Sequence, residues 1–147
     1  MPIDRPRRRQ RLLSMTPLQV AMSFVDAINA QRLDRISELM TDDHVFVAAD
    51  GAEMKGHDRM RGAWAAYFDM VPDYRIEVRE TFSGKNTVVL LGTASGTFVD
   101  EGSLDPRNRW SVPAAWRVVV DVDRVSVWQL YVDSGPMARI LNGLRSH

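Results

Sequence analysis

The chain has 147 residues, 45% of them hydrophobic, with no cysteine and a formal net charge of zero. That length and composition suit one hydrophobic core, and the lack of cysteine excludes disulfides and thiolate metal sites. No apolar run approaches the ~20 residues of a membrane helix and nothing resembles a secretory signal, so the expected setting is the cytoplasm, with no membrane partner.

The zero charge conceals an asymmetry at the start of the chain. Residues 1–14 hold Arg5, Arg7, Arg8, Arg9 and Arg11 against Asp4, leaving 14 basic and 18 acidic residues beyond them. Clustered arginines neutralise phosphates, but the body offers no basic face or aromatic stacking motif to accompany them. Nucleic acid is therefore not an expected partner, and the reading is a loose basic extension ahead of a single domain over 15–147.

A first helix is specified by its start. Thr16 can cap it while Gln19 reaches back, and Pro17 at the first helical position loses only an amide that would be unpaired anyway. Leu18, Ala21, Met22, Val25 and Ile28 form one stripe, with Phe24 beside it. Asp34 opens a short second helix with Ile36, Leu39 and Met40 apolar, closed by Thr41-Asp42-Asp43. His44 begins a strand that ends at Asp50 beside Gly51. Gly56 precedes a third helix, 57 to about 70, whose Met60, Ala63, Trp64, Tyr67 and Phe68 share a face until Pro72 stops it.

The second half reads as sheet. Tyr74, Ile76, Val78 and Phe82 alternate with Arg75, Glu77 and Arg79, so that strand has one wet face. Further strands are expected over 88–99, 111–122 and 125–132, the last two joined by so short a link that they form a hairpin. The polar VDEGSLDPRNR stretch between Phe98 and Trp110 reads as a long surface hairpin loop or flap that roofs a pocket.

The order of these parts resembles a known family. Asn29-Ala30-Gln31-Arg32-Leu33-Asp34, Leu39-Met40-Thr41-Asp42-Asp43, Gly51 with Gly56, and Val125-x-x-Trp128-x-x-Tyr131-x-Asp133 resemble the SnoaL-like branch of the nuclear transport factor two-like superfamily. The resemblance covers residues 16 to about 144. It implies an α+β fold, a cone-shaped, curved, mostly antiparallel sheet wrapped around three helices from the first half of the chain, with an apolar cavity between them. It also implies a homodimer, and no cofactor is expected. Members include ketosteroid isomerases, limonene epoxide hydrolases and polyketide cyclases, so the fold does not name the chemistry.

By the resemblance to ketosteroid isomerases, the tyrosine, the carboxylate base and the second acid correspond to Phe24, Ala48 and Trp116. The charged triad of limonene epoxide hydrolases corresponds to Ser95-Gly96-Thr97 and Leu130. The cyclase aspartate near the end of the last strand has a counterpart in Asp133, but its histidine has none within residues 117–121.

Asp133 is accordingly the candidate acid/base, because an aspartate partly buried beside indoles is lifted toward neutral pKa. Its alternative role is to cap the turn into Ser134-Gly135-Pro136. Tyr67 is the candidate orienting donor, since a buried hydroxyl needs a partner. Phe24, Phe46, Ala48, Trp64, Phe68, Trp116, Trp128, Leu130 and Val132 are the expected pocket wall. His44 and His57 lack the spacing of a metal site and read as surface or capping residues. The expected function is proton transfer on a small apolar carbonyl compound by an isomerase- or cyclase-type protein. The alternative is a non-catalytic module that binds a hydrophobic ligand or dimerises, the dimer forming through the convex sheet face that carries Val119, Val127 and Tyr131.

Overall fold

The computed structural model describes residues 15–145, so the arginine-rich extension lies outside the described residues. The elements run α1 (Pro17–Asn29), α2 (Leu33–Glu38), β1 (Met40–Val47), β2 (Glu53–Lys55), α3 (His57–Met70), β3 (Arg75–Gly84), β4 (Thr87–Asp100), β5 (Ser103–Asp121), β6 (Arg124–Val132) and α4 (Gly135–Arg145). One curved six-stranded sheet has the order β2-β1-β6-β5-β4-β3. Neighbours are antiparallel except β1 and β6, which run parallel.

The N-terminal cap of α1 forms as its sequence requires. The Thr16 hydroxyl accepts from the Gln19 amide at 3.1 Å while the Gln19 side chain accepts from the Thr16 amide at 2.9 Å. The helix buries Val20, Ala21, Phe24, Val25, Ala27 and Ile28 against the sheet. At its end, the Asn29 side chain behaves as an extra peptide unit. It donates to the Ile76 carbonyl at 2.9 Å and accepts from the Ile76 amide at 2.8 Å, which covers part of edge strand β3.

The sheet departs from the sequence reading in four places. Strand β1 starts at Met40 and not at His44, because Thr41-Asp42-Asp43 forms an irregularity between the Met40–Val125 and Val45–Val127 pairs and does not end a helix. Glu53–Lys55, given no element in the sequence reading, pairs with β1 as β2. The stretch between Phe98 and Trp110 is no flap: β4 and β5 continue through it as a hairpin closed at Glu101 and Gly102, both at positive φ (49° and 79°), the backbone that a tight two-residue turn demands. Fourth, α4 makes four helices among the described residues where three were expected. Pro136 sits in its first turn, where a missing amide costs nothing, and Met137, Ile140, Leu141 and Leu144 pack toward the core.

Pro113 lies inside β5 without disrupting it. β6 pairs with β5 only as far as Ala114 and Val132, so Pro113 has a strand neighbour on one side alone, at Thr93 of β4.

His44 is fully buried, which corrects its expected surface position. Its Nδ1 lies 2.7 Å from the Val125 carbonyl oxygen. A carbonyl only accepts, so Nδ1 carries the proton, and the neutral ring is the Nδ1–H tautomer. The Val125 amide donates instead to the Leu39 carbonyl. His44 thus bridges the irregular stretch of β1 to the start of β6. Burial holds its pKa below the ordinary value, the Val125 bond opposing this in part. His57 behaves oppositely: Nδ1 is 2.9 Å from Asp58 and Nε2 2.8 Å from the Ser37 carbonyl, and the Asp58 bond, then the Ser37 bond, raise its pKa.

The lowered pKa of His44 has a definite sign. As pH falls through ~6.5 the unfolded chain takes up a proton that the folded chain refuses, so this contribution to stability is full above ~6.5 and is lost below it. In a histidine NMR titration, His44 should stay neutral through pH 6.5 while His57 protonates above it; a His44 ring titrating at or above 6.5 would contradict the assignment. His44→Phe should cost about 1–3 kcal/mol at neutral pH, because the Val125 carbonyl loses its donor, and should flatten the acid side of the stability profile in urea melts.

Candidate functional site

A cavity of about 300 Å³ lies between α3 and the concave face of the sheet, bordered by Phe46, Met54, Met60, Ala63, Trp64, Tyr67, Tyr74, Trp116, Trp128 and Leu130. The helix contributes Met60, Ala63, Trp64 and Tyr67, spaced by three and four residues so that they fall on one face. The sheet contributes cross-strand rows. Phe46 pairs with Trp128 and Trp128 with Val118, while Leu130 pairs with Trp116 and Trp116 with Leu90. Alternation along β5 and β6 turns these residues inward together.

Tyr74 is placed by a separate device. α3 ends at Met70, and after Pro72 the Asp73 carboxylate accepts from the Thr97 amide and the Thr97 hydroxyl, both at 2.7 Å. That clamp fixes the α3–β3 connection against β4. A Cβ on Gly96 would lie 2.3 Å from Val71 Cγ1, so only glycine allows the connection to sit so close. Tyr74 is thereby held against Tyr67, with ring centroids 4.9 Å apart.

The lining is aromatic and almost without charge. Phe24 is fully buried behind it, 5.0 Å from the Trp128 ring and 6.5 Å from Trp64, and Phe68 stands 5.6 Å from Trp64. Trp116 and Trp128 lie 6.2 Å apart. The ionisable groups of the wall are the two tyrosine hydroxyls, and burial pushes both pKa values up. Both phenols therefore stay protonated and act as donors, not bases. Neither hydroxyl has a hydrogen-bond partner among the described residues, and both tyrosines border the cavity. The indole nitrogens of Trp64 and Trp116 are sealed and unpartnered, so these two residues present ring carbon to the cavity.

Of the expected wall, Phe46, Trp64, Trp116, Trp128 and Leu130 border the cavity, and so does Tyr67. Phe24 and Phe68 form its backing. Ala48 lies past the end of β1, its amide bonded to the Ala52 carbonyl across the turn, and Val132 packs against the core edge without bordering the cavity. Asp133 is exposed, beyond the last residue of β6. Its carboxylate accepts from the Gly135 amide at 2.9 Å at the start of α4. From Val127 to Val132 the pairing of β6 with β5 is regular, with no bulge at that end to bring the next side chain inward, so the expected placement of Asp133 beside the indoles is corrected. Met54 and Tyr74 were not foreseen in the wall, and Met60 and Ala63 only as helix-face residues.

The SnoaL-like domain family matches residues 21–130. The chain belongs to this family. Solved structures of the same fold include a candidate SnoaL-like polyketide cyclase from Shewanella denitrificans OS-217, 16% identical, with a TM-score of 0.75 over 86% of this chain and 97% of that one. An LEH-like epoxide hydrolase from M. tuberculosis is 16% identical, with a TM-score of 0.73 over 90% and 95%. A hypothetical protein with a ketosteroid isomerase-like fold from Catenulispora acidiphila DSM 44928, in complex with trimethylamine, is 19% identical, with a TM-score of 0.67 over 80% and 86%. No match was found among curated proteins. Within the described residues of this SnoaL-like chain, no helix is long and apolar enough to cross a membrane.

Proposed function

We propose that this SnoaL-like protein binds one small, largely apolar molecule in the cavity under α3, with the hydroxyls of Tyr67 and Tyr74 holding the single polar oxygen of that ligand. The observation that carries the reading is the wall itself, about 300 Å³ of space bordered mainly by rings, whose two ionisable groups are phenols kept neutral by burial. Such a site desolvates an apolar body and supplies two fixed donors to orient it.

Proton transfer of the isomerase or cyclase type would need a group that accepts a proton at the ligand. The lining offers no carboxylate or histidine, and Asp133 is engaged at the start of α4. Ligand binding, with the tyrosines polarising a carbonyl, is therefore the reading favoured over acid/base catalysis by Asp133.

A test uses cyclohexanone followed by tryptophan fluorescence. Tyr67→Phe and Tyr74→Phe should each weaken binding about five- to tenfold, the worth of one hydrogen bond of ~1 kcal/mol. Ala63→Phe, which places a ring in the cavity from α3, should abolish binding, and Asp133→Asn should leave it unchanged. Loss of binding in Asp133→Asn with both tyrosine variants unaffected would reverse the assignment.

We further propose a twofold homodimer through the convex face. Val119 pairs with Val127 and Ala115 with Tyr131 on that side, and Tyr131 and Phe82 are 52% and 58% exposed, an apolar surface of the kind that a second copy covers. Light scattering at micromolar concentration should give twice the chain mass, and Tyr131→Lys should shift it to a monomer. A monomeric wild-type protein would refute the dimer.

A further inference from the structure

Half of the aromatic residues in the chain border one cavity. Of five phenylalanines, four tryptophans and three tyrosines, Phe46, Trp64, Tyr67, Tyr74, Trp116 and Trp128 line it. Leucine and valine would serve a purely apolar ligand as well, and the longer strands that supply this wall are rich in valine. Concentrated ring faces offer what aliphatic chains do not, a negative quadrupole directed at whatever sits between them.

We propose that the ligand carries a methylated ammonium group, held among the rings of Trp64, Trp116 and Trp128, with its oxygen-bearing end at Tyr67 and Tyr74. The proposal rests on the cavity being the ligand site and specifies which small molecule it takes. Two observations support it. The indole nitrogens of Trp64 and Trp116 are sealed, so neither N–H turns its positive end into the cavity. The wall contains no arginine, lysine or histidine to oppose a positive charge.

Methylation follows from the shortage of acceptors. A bare ammonium has three N–H donors to satisfy, and this wall offers two phenol oxygens, both needed at the other end of the ligand. A trimethylated nitrogen has no donor to satisfy and spreads its charge over methyl groups that pack on rings. About 300 Å³ accommodates such a head with a short oxygen-bearing chain.

The experiment compares choline with its neutral isostere, in which carbon replaces the charged nitrogen, by calorimetry on the full-length protein. Choline should bind at least tenfold more tightly. Biosynthetic replacement of tryptophan by a fluorinated analogue, which weakens the ring quadrupole while keeping the shape, should weaken choline and leave the isostere unchanged. Equal or tighter binding of the isostere would overturn the ammonium proposal while leaving the apolar ligand site intact. Binding of naphthalene without choline at millimolar concentration would do the same. If neither choline, the isostere nor naphthalene bound, the cavity would not be a ligand site and both readings would fall.

Discussion

The register of β6 is the constraint on which the rest depends. This strand is gripped on one side by antiparallel β5 and on the other by parallel β1. Side chains alternate along it, so a slip of one residue would turn Trp128 and Leu130 to the convex surface and bring Val127 and Tyr131 inward. Two contacts oppose the slip. The hairpin at Val122 and Asp123 sets the pairing with β5, at the cost of a β-branched residue at φ 58°. On the β1 side, His44 bonds the Val125 carbonyl and Leu39 takes the Val125 amide. Burying a neutral imidazole there ties the start of β6 to the irregular part of β1. The aromatic rows of the cavity are aligned as a consequence.

Those rows explain why the interior holds a cavity. Trp116 and Trp128 stand side by side on the sheet, and Trp64 faces them from α3 with Phe24 between. Rings that meet at tilted and edge-on angles do not fill space as branched aliphatics do. The space left between them is closed at one side by Tyr67 and Tyr74. Placing that pair requires tertiary contacts remote from both residues, the clamp of Asp73 on Thr97 and the close approach permitted by Gly96.

Much of this was legible in the sequence where a local rule acts alone. The capping box at Thr16 and Gln19, the stop at Pro72, the stripe on α3 and the last hairpin all follow from chemistry within a few residues. The wall residues Phe46, Trp64, Trp116, Trp128 and Leu130 were legible because helical and strand periodicities each select a face. Less legible were features decided by partners far along the chain. Thr41-Asp42-Asp43 has the composition of a helix stop, and only pairing with β6 makes it part of a strand. Gly135-Pro136 reads as a turn until the spacing of Met137, Ile140, Leu141 and Leu144 is given weight. Met54 comes from a three-residue strand with no pattern of its own, and Tyr74 from a connection. Asp133 was the attractive candidate because a carboxylate in a tryptophan-rich sequence suggests a raised pKa, but strand alternation, unbroken from Val127 to Val132, leaves it outside.

The central claim is that the space beneath α3 is preformed, apolar and ready for a ligand. Apolar space admits xenon, whereas polar space holds ordered water. A crystal pressurised with xenon tests the claim most directly. The account predicts xenon density bounded by Trp64, Trp116 and Trp128, with those rings unmoved from their positions in the unpressurised crystal. Rings collapsed onto one another, or a chain of ordered water in place of xenon, would contradict it.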